Sequence, residues 1–404
     1  MPDARGHGSL EVVVVGGGIG GLTTAIALAR HGLRVRVLEQ APRLVRVGAS
    51  IALGPNAIRL LADLGLLDAL RRIGVRPDAV ELLRWEDGSV LLHTDVGAPA
   101  EEHFGAPPLD FHRADLQDVL VGALPPQALQ LGAHVVAVEQ SERRAAAVLE
   151  DGRRVEGDVL VAADGIRSPI RQLLVGADEP AFSGTVVYRG VVSREAVATI
   201  HPDRVNRYWL GPYRHGVCYW IAAGELLAVN AAVQHAEWSR ESWTDEASAE
   251  ECLQYFDGWH PPLLERIARC RTMLRGAVFV RRPLAHWSFG RITLLGDAAH
   301  AMEPFQAQGA AQAIEDAYIL AECLRDAAAD EAPGALARYE HLRTQRAAEL
   351  QSSSSTAANV FYLPDGREQQ ERDAAYASLH ERLPWGHRQT IWEHDVRDAL
   401  RAST

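Results

Sequence analysis

The run Gly16-Gly17-Gly18-Ile19-Gly20-Gly21 puts glycines where a chain must turn sharply and let its backbone approach an anion. In the GxGxxG spacing that starts at Gly16, Gly16 permits the tight turn and Gly18 admits a pyrophosphate close to the main chain. Gly21 lets the following helix pack against the preceding strand. Unpaired N–H groups and the positive end of the helix dipole then face the anion. Glu39 closes the next β-rich run, where a carboxylate accepts hydrogen bonds from a ribose 2′-OH and repels a 2′-phosphate. Two further aspartates, in Asp164-Gly165 and Gly296-Asp297, also end β-rich runs. Open α/β sheets bind ligands at such strand ends, although a turn residue and a helix N-cap are the plainer readings of each alone. The glycine motif leaves NAD and FAD open, and a single fingerprint implies one tightly held dinucleotide.

The elements that must position these residues can be read from periodicity. Val12-Val13-Val14-Val15 suits a strand buried on both faces, and Leu22 to Arg30 suits a helix that stops at Gly32. Val35 to Leu38 returns as a strand, which completes one βαβ unit. Residues 56 to 73 read as helical. Residues 78–95 and 180–235 carry short alternating or β-rich stretches and predict an antiparallel sheet that interrupts the first domain. Residues 158–165 and 292–297 return to the first pattern, and a helix is expected from Gly309 to about Asp326. The loop 330–334 precedes another helix, and Ser352 to Ser355 reads as a polar break.

The expected fold class is α/β: a Rossmann-like dinucleotide-binding domain (an FAD-binding domain by family resemblance) with an interrupting antiparallel β-sheet substrate domain and C-terminal helices. The expected division is 1–75, 106–178 and 279–350 for the FAD-binding domain, 76–105 and 179–278 for the substrate sheet, and 351–404 for a C-terminal helical segment.

The chain has 404 residues, 47% of them hydrophobic and 23% charged, with a formal net charge of −12. Its basic residues are dispersed, so it offers no footprint for nucleic acid. Cys218, Cys252, Cys270 and Cys323 lack the spacing of a zinc site or a disulfide framework, and no metal is expected. No apolar run approaches the ~20 residues of a membrane-spanning helix, and no signal peptide is evident; a cytoplasmic protein without membrane partners is expected. A monomer and a homodimer both remain open.

These motifs, in this order, resemble those of the group A flavoprotein hydroxylases, particularly the salicylate and 3-hydroxybenzoate hydroxylase branch. The resemblance runs from Val12 to about Asp395. The segments 164–171 and 296–300 are similar to that family's DG and GD motifs, which implies that Asp164 serves FAD and pyridine-nucleotide contacts and Asp297 binds the FAD ribityl chain. The segment Pro304 to Ala310 resembles the stretch beside the isoalloxazine, so Pro304, Gly309 and Ala310 are implied at the flavin. The helix beginning there would aim its positive end at the ring's N1/C2=O edge. Arg113 matches an arginine that reaches the ribityl and phosphate region, with Gln117 one turn on. Glu315 and Asp316 are read as structural. Two departures stand out: Ala301 replaces the usual proline after the GD-motif histidine, and Tyr362 stands where many relatives carry histidine.

The resemblance implies bound FAD, NADH or NADPH as transient co-substrate, and O2 with a small phenolic or heteroaromatic ring as partners. Hydroxylation would proceed through a flavin C4a-hydroperoxide. Tyr188, Arg189, Tyr219 and Trp220 are expected to bind the ring, with Arg189 either holding the fold or meeting a substrate carboxylate. His215 is the nominee for a base, or is a histidine merely satisfied by hydrogen bonds. An FAD-linked reductase or oxidase and a non-catalytic flavin-binding protein share the fold and are the alternatives.

Overall fold

The computed structural model describes residues 9–44, 46, 50–235, 245–382, 385–386 and 388–402. Four valines in the strand Glu11–Val15 lose nearly all exposure because the strand lies at the centre of a six-stranded sheet. Its neighbours Arg34–Glu39 and Val159–Ala162 run parallel to it, and Leu129–Leu131 and Ile292–Leu294 extend the parallel order outward. Ser288–Phe289 closes one edge antiparallel. The helices Ile19–Arg30 and Gly309–Leu324 pack on each other and share one core with this sheet. A three-stranded antiparallel sheet, Val135–Gln140, Ala145–Leu149 and Arg154–Gly157, joins the same core. Its small Ala145 and Ala147 are buried there and permit close approach.

The second sheet has eight strands, in the order Asp245–Ala247, Met273–Val280, Ala181–Ser193, Leu226–Gln234, Arg214–Ile221, Val205–Gly211, Ala79–Arg84, Val90–Asp95. It is antiparallel as expected at every pair but one: Val205–Gly211 runs parallel to Ala79–Arg84, the join between two distant stretches of chain. Side chains alternate across it. Tyr188, Cys218, Trp220, Val229 and Ala231 pack into a core with residues of the helices Ala249–Leu253 and Pro261–Ala268. Thr185, Val187, Arg189, His215, Val217, Tyr219 and Asn230 face the opposite way, into a cavity.

Two helical readings need correction. The stretch 56–73 is two helices, Pro55–Asp63 and Leu67–Ile73, parted at Gly65 in the left-handed region (φ 78°). Ser352 to Ser355 do not break the chain: one helix runs Ala332–Phe361, through the expected 350/351 division. Tertiary contacts override the weak helix preference of serine here. Ser354 is buried, and the Ser353 and Ser354 hydroxyls donate to Gln306 Oε1 at 2.9 and 3.2 Å. The four cysteines are buried and unpaired. Among the described residues no helix is long and apolar enough to cross a membrane, and no cluster of ligands could hold a metal ion.

Candidate active site

A cavity of about 980 Å³ opens where the C-terminal ends of the parallel strands meet the inner face of the eight-stranded sheet. The glycine turn forms one wall. Gly16 adopts φ 108°, and a Cβ there would run into the Ala163 carbonyl; one at Gly21 would strike the Gly16 carbonyl. Gly18 caps Ile19–Arg30 without a side-chain hydrogen bond, and its missing Cβ faces open space. Gly18, Ile19 and Gly20 line the cavity. Each glycine therefore sits where the spacing placed it.

Glu39 and Gln117 lie behind this turn. The Glu39 carboxylate accepts from Gly17 N at 2.7 Å and from Ala41 N at 2.8 Å, and Gln117 Nε2 donates to Gly17 O at 2.8 Å. Both brace the loop, while the adjacent Gln40 reaches the cavity wall. Arg113, Asp164, Asp297, Pro304, Gly309 and Ala310 line the cavity together. Burial pushes the Asp164 carboxyl up to about 6, and its Oδ1 has no hydrogen-bond partner. Asp297 starts the short helix Asp297–His300 and is exposed toward the opening. The first turn of Gly309–Leu324 has no side-chain cap and opens on the same space.

Behind this wall a buried polar network fixes the Asp297 loop. Asp316 accepts from Gly296 N at 3.0 Å, contacts His300 Nε2 at 2.6 Å and accepts from Arg343 Nε at 2.8 Å. Glu315 accepts from Arg343 Nη1, Arg346 Nε and Asn56 Nδ2 at 2.9, 3.1 and 2.8 Å. Burial would raise both carboxyls, but the cations outweigh it and hold both below their usual range. Their structural role follows from these bonds.

The sheet forms the other wall. Arg189 and Tyr219 reach the cavity, and Tyr219 OH donates to Ser50 Oγ at 2.7 Å. Burial lowers the Arg189 guanidinium to about 10. His215 stands among Phe305, Phe361 and Tyr362, with ring centroids 5.4, 5.7 and 5.4 Å away. Its buried Nδ1 has no partner, and desolvation depresses the imidazole to about 3, so it is neutral at ordinary pH. Tyr362, at the position of a familial histidine, thus closes this aromatic cage. Tyr188 and Trp220 do not reach the cavity. Strand alternation turns them to the opposite face, where Tyr188 OH donates to Glu251 at 2.9 Å and Trp220 Nε1 to Asp203 O at 2.7 Å.

Sequence reasoning passed over Asp110, Asn206, Tyr208, Glu303 and Arg388, all on the cavity wall. Asp110 carried a signal: it is a carboxylate inside the apolar strand Leu109–His112, just before Arg113. Arg388 carried none, since only tertiary packing brings it here.

The residues present fit FAD. An uncapped helix start behind a glycine face that accepts an atom, a second uncapped helix start, and a buried Asp164 oxygen without a partner all open on one cavity. Comparison with known proteins agrees. Residues 9–354 match the FAD binding domain family. A 3-amino-4-hydroxybenzoate 2-monooxygenase of Streptomyces platensis is 41% identical over 363 residues, covering 90% of this chain and 91% of that protein. A 6-hydroxynicotinate 3-monooxygenase of Pseudomonas fluorescens is 37% identical over 349 residues, covering 86% and 90%. A solved salicylate hydroxylase in complex with substrate superposes with a TM-score of 0.83 at 28% identity, covering 98% of each chain.

Proposed function

The chain belongs to the FAD-dependent aromatic hydroxylases, and on that premise we propose that its substrate is a hydroxybenzoate-type acid, in particular one with an amino group beside the phenol. The observation that carries this reading is the single cavity into which the dinucleotide wall and the Arg189, His215 and Tyr219 face both open. The cationic Arg189 and Arg388 on that wall suit a ring carboxylate. The 3-amino-4-hydroxybenzoate named for the Streptomyces platensis relative joins the three groups in one molecule.

Bound FAD would supply the redox chemistry that couples oxidation of NADH or NADPH to insertion of one atom of O2 into the ring. The protein's part is binding and environment. Gly18 and the start of Ile19–Arg30 would hold the pyrophosphate, Arg113 and Asp297 the ribityl region, and Asp164 the same cofactor edge. The start of Gly309–Leu324 presents its positive dipole end and favours negative charge beside Pro304. His215, neutral in its aromatic cage, can donate a hydrogen bond from one ring nitrogen and accept one at the other without placing charge in the cage. Tyr219 OH donates to Ser50 and keeps its acceptor lone pairs for a ring hydroxyl. Phe305, Phe361 and Tyr362 keep water from that side. A cytoplasmic setting suits both the NAD(P)H supply and four unpaired thiols.

The test is NADH and NADPH oxidation by the purified flavoprotein with benzoic acids bearing hydroxyl and amino groups and with matched rings lacking the carboxylate, products being weighed by mass spectrometry. Stimulation by the acids, with a product heavier by one oxygen, supports the reading. Stimulation only by neutral rings rejects the aromatic-acid assignment.

A further inference from the structure

Asp110 is an anomaly on the cavity wall. It sits in Leu109–His112, whose four residues are all buried, and retains only 3% exposure while lining the cavity. Its main chain is pinned on two sides. It pairs with Ala52 across the ribbon with Ser50–Leu53, and exchanges two backbone hydrogen bonds with Val75 at 2.9 Å each. The side chain is equally constrained: Asn206 Nδ2 donates to Oδ2 at 2.7 Å. Among the described residues this is the side-chain hydrogen bond the carboxyl makes, and it leaves Oδ1 to the cavity that Asp110 lines. No cation pairs with it among the described residues, although Arg388, whose guanidinium lies 5.9 Å from the Tyr208 ring centroid, acts on it through space.

A carboxyl is an expensive group for tying two strands together. Burial pushes Asp110 up to about 7, opposed by the Asn206 hydrogen bond and by Arg388. A neutral side chain would serve Asn206 as well, without the second oxygen facing the ring space. When the carboxyl is ionised, that oxygen is an acceptor held in place on a rigid strand, and a donor carried by the ligand can use it.

We propose that Asp110, oriented by Asn206, is a specificity-determining residue whose second oxygen accepts a hydrogen bond from an amino group on the aromatic ring. The inference rests on the aromatic-acid reading above and adds to it the selection among ring acids. Arg189 and Arg388 meet the carboxylate shared by all such acids, whereas Asp110 distinguishes the amino-substituted ones. Discrimination arises because an acid without the amino group leaves this buried acceptor unpaired.

The experiment measures dissociation constants of 3-amino-4-hydroxybenzoate and 4-hydroxybenzoate, which differ only in the amino group. Binding to the holoenzyme is followed by perturbation of the flavin spectrum for the wild type, Asp110→Asn and Asp110→Leu. The wild type is expected to prefer the amino compound on the order of 10-fold or more, the size of a charge-assisted hydrogen bond. Asp110→Leu should bring the ratio to roughly one, and Asp110→Asn should leave a preference of a few-fold through a neutral hydrogen bond. Asp110→Asn is the near-isosteric variant, and its flavin content and unfolding midpoint establish that it folds. A merely structural Asp110 would weaken both ligands together and leave their ratio unchanged. A ratio that persists in both variants overturns the assignment of Asp110 while the aromatic-acid reading stands. Failure of both acids to bind the wild type overturns the two together.

Discussion

Replacing Arg343 by Met tests whether the buried network behind Asp297 holds the site together. Arg343 has no exposure and donates to Asp316 at 2.8 Å, to Glu315 at 2.9 Å and to Gln312 Oε1 at 2.7 Å. The variant loses these three hydrogen bonds from a cation, of which the two to carboxylates are each worth ~1.5–3 kcal/mol. Neither carboxylate is orphaned, because Asp316 keeps His300 and Gly296 N, and Glu315 keeps Arg346 and Asn56. The released desolvation cost of the guanidinium offsets part of the loss. The net expectation is roughly 3 kcal/mol, the low end for breaking a buried ion pair.

The pH dependence has a definite sign. In the wild type both carboxyls are held below their ordinary values, so their contribution is present above ~4 and is lost as pH falls through the lowered values. Without Arg343 burial is less opposed and both rise, so protonation relieves the variant and its deficit narrows in acid. Urea unfolding at fixed excess FAD, at about pH 8 and pH 5, measures both effects. A deficit below ~1 kcal/mol at the higher pH, or one that grows in acid, refutes the reasoning.

Asp297→Ala should retain the fold and release flavin, with at least a ~10-fold rise in the FAD dissociation constant; a variant that stays fully yellow after dialysis denies the ribityl role. Arg189→Gln should raise KM for a carboxylated ring by roughly 10- to 100-fold with a smaller change in kcat, while Tyr188→Phe, on the far face, leaves both nearly unchanged; steady-state kinetics would expose either error. His215→Asn should leave the shape of the kcat/KM profile intact between about pH 5 and 9, because the imidazole is already neutral there, and a lost inflection would make His215 a titrating base. His201 is depressed to about 3 by burial and by Arg266 and Arg207, so stability should fall as pH drops from about 6.5 toward 3. Acid titration of His201→Gln should show a slope shallower by up to ~1.4 kcal/mol per pH unit.

Local rules made much of the cofactor side readable from the chain. A β-branched run, a glycine turn and a helix are short-range features, and Gly16, Gly18 and Gly21 occupy the places their spacing implied. The strand ends that carry Asp164 and Asp297 were legible in the same way, while their cofactor roles came only from family resemblance, and the helix at Gly309 showed in its sequence pattern. The same rules misjudged Ser352 to Ser355, where burial and Gln306 sustain a helix that serine alone would not.

The substrate side depended on which face of a strand meets which neighbour. Alternation alone separates His215, Val217 and Tyr219 from Cys218 and Trp220, and Arg189 from Tyr188, yet it assigns neither set to the cavity. The helices Ala249–Leu253 and Pro261–Ala268 made that choice by covering the Tyr188 and Trp220 face. Asp110, Asn206 and Arg388 lie far apart in the chain, and no local preference can announce their meeting. Sequence by itself showed where a dinucleotide could be gripped, because the glycine turn suited to a pyrophosphate is one contiguous stretch of chain. Only the tertiary structure decided what surrounds the ring, because that wall is assembled from strands and a C-terminal helix brought together by packing.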